Sequence, residues 1–323
     1  MTFCLPEHID PRHSLVTKQY AVYTPPIDEM INQIGDWIDQ QRPGGYIHGA
    51  SRLGKSRCIQ WFLMQVLVEK FGSLLPLIIW NRRAESQSSE SFFWHQLLMA
   101  SNFEFLDPLK PLRKSEAIFL CKNRFISIAK NANRNYVILL IDEAQDLTLR
   151  EWKWLVGLQN ALDYEGFLLS VFSVGTHQLG YQHEYLASTG NAHVAARFMA
   201  AHARFHGIQT VGELEYVLNG YDEDSEWPAG SGISFLKYFS PRDFDADRRL
   251  ANRAGLFWKA LLELSPKKRN EFPMQHIART IEAALFRLAN GGNWDEVMSY
   301  ESLLESISRT NFSDHMRIIA SAN

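Results

Sequence analysis

Apolar positions along the chain fall into two kinds of run. Ile27, Ile31, Ile34 and Ile38 recur at intervals of three and four, which predicts a helix with one apolar stripe, opened by Pro25-Pro26 and closed by Pro43-Gly44. By contrast, residues 74–80, 136–141 and 167–174 are nearly unbroken apolar runs of strand length. Such runs fit strands covered on both faces. Tyr46-Ile47-His48 reads as a shorter strand entering a glycine loop. Between these runs the period returns to helical: Cys58, Ile59, Phe62, Val66 and Val68 mark a helix to about residue 71. Further helices are predicted over 91–101, 115–131 and 151–162, with a polar loop over 81–90.

Strands alternating with helices predict an α/β fold with a parallel sheet flanked by helices and right-handed crossovers. Beyond about residue 210 the apolar strand runs stop, and helical stretches follow near 212–219, 246–264, 274–290 and 294–308. A Gly/Ser/Pro/acidic segment over 222–232 reads as an exposed loop. The expected organisation is an irregular N-terminal arm (1–24), an α/β domain (25–210), a smaller C-terminal helical domain (211–310) and a C-terminal tail (311–323).

Composition narrows the class. Of 323 residues, 46% are hydrophobic and 21% charged, an ordinary globular balance. The net charge of −3 argues against a strongly basic nucleic-acid binder, although a local basic face is still allowed. Cys4, Cys58 and Cys121 form no C-x-x-C pair, which fits a reducing compartment and argues against structural zinc. Met1-Thr2-Phe3-Cys4-Leu5-Pro6-Glu7 lacks the apolar core of a signal peptide, and no apolar run approaches the ~20 residues that span a bilayer. A cytoplasmic protein with no membrane partner is expected.

Gly49-Ala50-Ser51-Arg52-Leu53-Gly54-Lys55-Ser56 matches G-x-x-x-x-G-K-[ST], between a predicted strand and a predicted helix. A loop that wraps phosphates with backbone N–H groups needs glycine where a side chain would block approach. Lys55 would carry positive charge to the β- and γ-phosphates of ATP, and the Ser56 hydroxyl would ligate Mg2+. Arg57, the next residue, is counted with this loop. The run Ile138-Leu139-Leu140-Ile141 then ends in Asp142-Glu143. Asp142 would hold the metal, and Glu143 would orient and polarise the attacking water.

Other residues admit a functional and an ordinary reading. Thr176, at the end of Val174-Gly175-Thr176, can reach a γ-phosphate or merely cap a helix; Ser173 is second. Arg197 and Arg204 can act as fingers toward a neighbouring subunit or simply be solvated. Arg279, on a late helix, can contact phosphates from the helical domain. His193, His202 and His206 lie close in sequence, but no nearby Cys or carboxylate completes a zinc site. Residues 108–134 hold Lys110, Arg113, Lys114, Lys122, Arg124, Lys130 and Arg134 against the single acid Glu116. That stretch fits phosphate-backbone contact without base reading, or a solvated helix face. Lys114, Lys122 and Arg124 are the candidate DNA contacts, and Arg82-Arg83 could extend them.

Taken together, the 49–56 loop, Ile141-Asp142-Glu143-Ala144-Gln145, and Gly175-Thr176 followed by Arg197-Phe198 resemble the TnsC/TniB group of AAA+ transposition regulators over roughly residues 25–220. MuB is a more distant functional relative. The resemblance implies an Mg2+-dependent ATPase that assembles on double-stranded DNA as a homo-oligomeric ring or filament. It further implies recruitment of a transposase and a target signal from a TniQ-type adaptor, in some Tn-seven-like systems attached to a CRISPR effector. By position it makes Lys55 and Ser56 the Walker A pair, Asp142 and Glu143 the Walker B pair, and Arg197 the finger in trans. The competing reading is an AAA+ signalling or secretion-associated ATPase with no DNA role. A two-domain helicase does not fit the length left after the first domain.

Overall fold

Val, Ile and Leu suit the pleated, doubly covered surface of a central strand, and β3 (Tyr136–Asp142) is buried at every position. The structure, a computed structural model, describes residues 6–82, 89–104, 112–266 and 270–321. Cys4, Arg83 and Lys110 lie outside the described residues, as do the last two residues of the expected tail. The described chain forms two units, one of Met30–Gly49 with Ile59–Phe205 and one of Met1–Glu29, Ala50–Cys58 and His206–Asn323.

The first of these holds the sheet. Around β3 lie β1 (Gly44–His48), β2 (Leu77–Asn81), β4 (Leu168–Gly175) and β5 (His202–Arg204), in the order β2-β3-β4-β1-β5. Every pairing is parallel. One face packs on the helices Glu90–Ala100, Lys114–Asn131 and Leu149–Tyr164 through Phe93, Phe125, Leu139, Leu155 and Val171. On the other face the Trp37 ring lies 5.6 Å from that of Phe172. Pairing aligns His48 with both Gly175 and Arg204, and Asn81 with Asp142. The strand tips therefore share one edge, where chemistry in open α/β sheets is usually placed.

Several boundaries differ from the pattern. Pairing of β2 begins at Leu77, after Pro76, which has no N–H to contribute; Leu74 is exposed. The helix expected to run to residue 71 is two helices, Lys55–Trp61 and Leu63–Phe71, separated at Phe62. Strand β5, an edge of three partly exposed residues, has no apolar run to announce it. It also puts His202 on a strand, so His202 and His206 do not share a helix turn.

A buried ion pair ties β2 to the helix Leu149–Tyr164. Arg82 Nη2 donates to Glu151 Oε1 at 2.9 Å, with both side chains almost wholly buried. Glu151 also closes a capping box with Thr148. Removing one partner of such a pair strands a charge away from water. Glu151→Ala is expected to destabilise the fold by about 3–5 kcal/mol, read as a lowered urea midpoint.

The other unit is helical, with a core that includes Leu218, Phe257, Leu261, Ile277 and Leu285. The N-terminal arm is part of it: Ile9, Leu15 and Val22 are buried there. Their spacing of six and seven residues shows no period, so the sequence reads as irregular. Asp222, expected in an exposed loop, is buried and accepts N–H bonds from Leu250 and Ala251 at 3.0 and 2.9 Å. The C-terminal segment forms a helix, Phe312–Ser321, whose Phe312 and Met316 are buried.

His13 is enclosed by Trp227, Phe235, Tyr238 and Phe239, with ring centroids 4.6–5.2 Å away. Burial pushes its imidazole down from the ordinary 6.5 to about 4. Burial, with the nearby charges of His315, Arg279 and Arg52, does the same to His276. Both are held neutral in the fold and take up protons more readily when unfolded. Their contribution is complete above pH 6.5 and is lost as pH falls toward about 4. Asp222 opposes this: burial raises its carboxyl from 3.8 to about 6, so its share of stability is lost as pH rises through that window. Near pH 6–6.5 the two histidines outweigh Asp222, which is by then increasingly ionised in the fold as well, so their share should raise the melting temperature with pH there. His13→Asn keeps a capping acceptor for the Leu15 N–H and should flatten that rise in thermal melts.

Candidate nucleotide site

Gly49 follows β1 at the sheet edge. Its N–H donates to the Gly175 carbonyl at 3.2 Å. A Cβ at this position would lie 2.3 Å from the Phe205 carbonyl oxygen, so only glycine fits. In the helical unit, the loop that follows turns through Arg52 at φ 65° and Gly54 at φ 125°. The second value belongs to glycine's range. Lys55 is buried and bends back over its own loop, donating from Nζ to the Ala50 carbonyl at 2.7 Å. Ser51, Arg52, Ser56 and Arg57 are exposed, Ala50 is half-buried and Leu53 is buried. The Arg57 guanidinium donates to the Lys18 carbonyl at 2.9 Å.

The carboxylates stand at the tip of β3 in the sheet unit. Asp142 is buried and its Oδ1 accepts the Glu143 N–H at 3.0 Å. Glu143 adopts φ 56°, ψ 38°, a left-handed conformation that costs a glutamate roughly 1–3 kcal/mol. This turn ends the strand and leaves the Glu143 side chain half-buried beyond it. Gln145 Nε2 donates to Glu143 Oε2 at 2.6 Å. Asp146 sits nearby, its carboxyl raised by burial and then by the Glu143 charge.

Residues 38–180, which include both motifs, match the family model described as an AAA domain. The fold is that of an AAA+ P-loop protein. Among solved structures, the chain resembles the Aeropyrum pernix ORC2 protein in ADPNP-ADP complexes, with a TM-score of 0.55 and 12% identity over 89% of this chain and 70% of that one. It also resembles Drosophila ORC bound to DNA, with a TM-score of 0.51 and 12% identity over 92% and 67% of the two chains. At such identity the likeness is one of fold. No curated protein matches the chain in sequence.

Around the AAA+ sheet the remaining candidates separate. Thr176 is at the same edge as Gly49 and Asp142; its N–H donates to Gln145 Oε1 at 3.0 Å and its hydroxyl accepts the Gln178 N–H at 3.4 Å. Ser173, within β4, is fully buried. Arg204, at the end of β5, is exposed at this edge. Arg197 is at the opposite one. A Cβ on Gly44, where β1 begins, would meet the Arg197 carbonyl at 2.7 Å, and the Arg197 guanidinium donates to Asn160 Oδ1 at 2.7 Å. Arg197 is thus kept away from its own chain's strand tips.

Arg279 is exposed on the helix Met274–Ala289. The first turn of that helix meets the P-loop, where the Gln275 N–H points at the Arg52 carbonyl at 3.4 Å. Among the described residues no group of three or more His, Cys, Asp or Glu could hold a metal ion. Cys58 and Cys121 are buried free thiols.

The candidate DNA contacts each have a partner within the sheet unit. Lys114 pairs with Glu90 at 2.7 Å and Lys122 with Glu165 at 2.6 Å. Arg124 donates to the carbonyls of Ser101 and Asn102, capping the end of the helix Glu90–Ala100. Lys114 is the exposed one of the three, and Lys122 and Arg124 are half-buried. None of the described helices is long and apolar enough to cross a membrane. Composition and period did not reveal the Arg82–Glu151 pair or the Gln145 contacts. The sequence signal for the latter is a carboxamide two residues after Glu143.

Proposed function

We propose that the chain binds and hydrolyses ATP, and that ATP-loaded copies assemble on double-stranded DNA to recruit and activate a transposase, linking it to a TniQ-type target-selection adaptor. The observation that carries the ATP reading is the glycine loop, with Gly49 closed in by Phe205 and Lys55 folded over its own turn. ATP would draw the Lys55 ammonium from the Ala50 carbonyl to its β- and γ-phosphates, while loop N–H groups hold the phosphate oxygens. The Ser56 hydroxyl and Asp142 carboxylate are oxygen donors of the kind Mg2+ prefers, and the ion would neutralise phosphate charge. Glu143 orients a water and takes its proton as the water oxygen bonds to the γ-phosphorus. The bond from that phosphorus to the bridging oxygen breaks, leaving ADP and phosphate. Arg279 would approach the phosphates from the helical lid (211–310), and Thr176 would sense the γ-phosphate. Arg197 would serve a neighbouring subunit, which its place at the far edge of the sheet supports.

The DNA reading draws on the motif resemblance to TnsC/TniB regulators and on the basic 108–134 stretch. A similar fold also occurs in a protein solved bound to DNA. One observation favours the alternative, an AAA+ ATPase without a DNA role: Lys114, Lys122 and Arg124 all have partners inside the chain. Co-sedimentation with duplex DNA and a slowly hydrolysed ATP analogue decides between them. The expected result is ATP-dependent binding whose log affinity falls linearly with log salt. Absence of co-sedimentation at low salt, from a protein that still binds ATP, would establish the alternative.

A further inference from the structure

We propose that Gln145 is a positioning residue, holding the Glu143 carboxylate for water attack and tying it to the tip of β4. The inference rests on the reading of Glu143 as the base for hydrolysis. Gln145 lies in the short helical turn Ala144–Asp146, directly after the left-handed Glu143. Its side chain bridges two strand tips. Nε2 donates to Glu143 Oε2 at 2.6 Å, and Oε1 accepts the Thr176 N–H at 3.0 Å. The backbone carbonyl accepts from Gln182 Nε2 at 2.7 Å, which anchors the turn on the helix Gln178–Ser188.

The partners determine which way the carboxamide faces. An ionised carboxylate can only accept, and a backbone N–H can only donate, so Nε2 faces Glu143 and Oε1 faces Thr176. Gly175 makes room for the arrangement: a Cβ there would stand 2.3 Å from Gln145 Oε1. A side chain at 175 would thus push the carboxamide away from both contacts. With one Glu143 oxygen held by Gln145, the other is directed by a fixed geometry rather than by free rotation of the side chain. The same carboxamide is bonded to Thr176, so it links the Glu143 side chain to the β4 tip.

The test compares Gln145→Ala and Gln145→Glu with the parent, measuring steady-state ATPase kinetics and the affinity for a fluorescent ATP analogue by anisotropy. Gln145→Ala should lower kcat by about tenfold or more, as misplaced catalytic groups do. KM for ATP and analogue affinity should stay within about twofold, which also reports that the variant is folded. Gln145→Glu keeps the shape and the acceptor for Thr176 but, once ionised, cannot donate to Glu143, so assayed at about pH 8–9 it should not rescue kcat. Near-parental kcat in Gln145→Glu would mean that shape and the Thr176 link suffice, and would overturn the proposal. So would an unchanged kcat in Gln145→Ala. A parent that binds no ATP would overturn the functional reading, and this inference with it; an active parent with active variants would overturn the inference alone.

Discussion

Replacing Lys55 with alanine is expected to weaken ATP binding by about tenfold to a hundredfold, because a hydrogen bond from a charged donor is worth about 1.5–3 kcal/mol and tenfold in affinity is about 1.4 kcal/mol. The Lys55 ammonium donates to the Ala50 carbonyl, within its own loop. The variant removes a buried donor without opening either main core, since Lys55 belongs to neither apolar cluster. Titration with a fluorescent ATP analogue shows the loss. Lys55→Arg keeps the charge but replaces a compact ammonium with a larger planar group, and should restore little of the affinity.

Glu143→Gln is expected to separate binding from hydrolysis. The amide keeps the size and the left-handed turn but cannot accept a proton from water. Phosphate release should fall by about a hundredfold or more, the usual contribution of a general base. ATP affinity should change by less than about threefold, because Glu143 acts on the water rather than on the phosphates. If ATP-loaded copies assemble on DNA, this variant should accumulate there and resist dissociation. Sedimentation of the variant with duplex DNA and ATP checks this. Free monomers under those conditions would count against the scaffold reading.

The parallel sheet was legible because β3 and β4 are buried along almost their whole length, so each had to be apolar at successive positions. Strand β5 was not, because an edge strand of three partly exposed residues needs no such run. The N-terminal arm read as irregular, but its burial was not legible: Ile9, Leu15 and Val22 are separate anchors and create no period. The 49–56 loop stood out in the sequence because phosphate binding would need glycine and lysine at fixed spacing. The Gln145 bridge was hidden because Thr176 lies 31 residues away in sequence. Likewise Arg82 and Glu151 are 69 residues apart, and either alone reads as a surface charge. For the 108–134 stretch the sequence showed the sign of the charges but not their neighbours; Lys122 is answered by Glu165, 43 residues on.

Calorimetric titration of magnesium-ATP into the purified, folded chain tests the central claim most directly. Saturable binding at one nucleotide per chain, abolished or greatly weakened in Lys55→Ala, is the expected result. A folded sample that takes up no adenine nucleotide would contradict it.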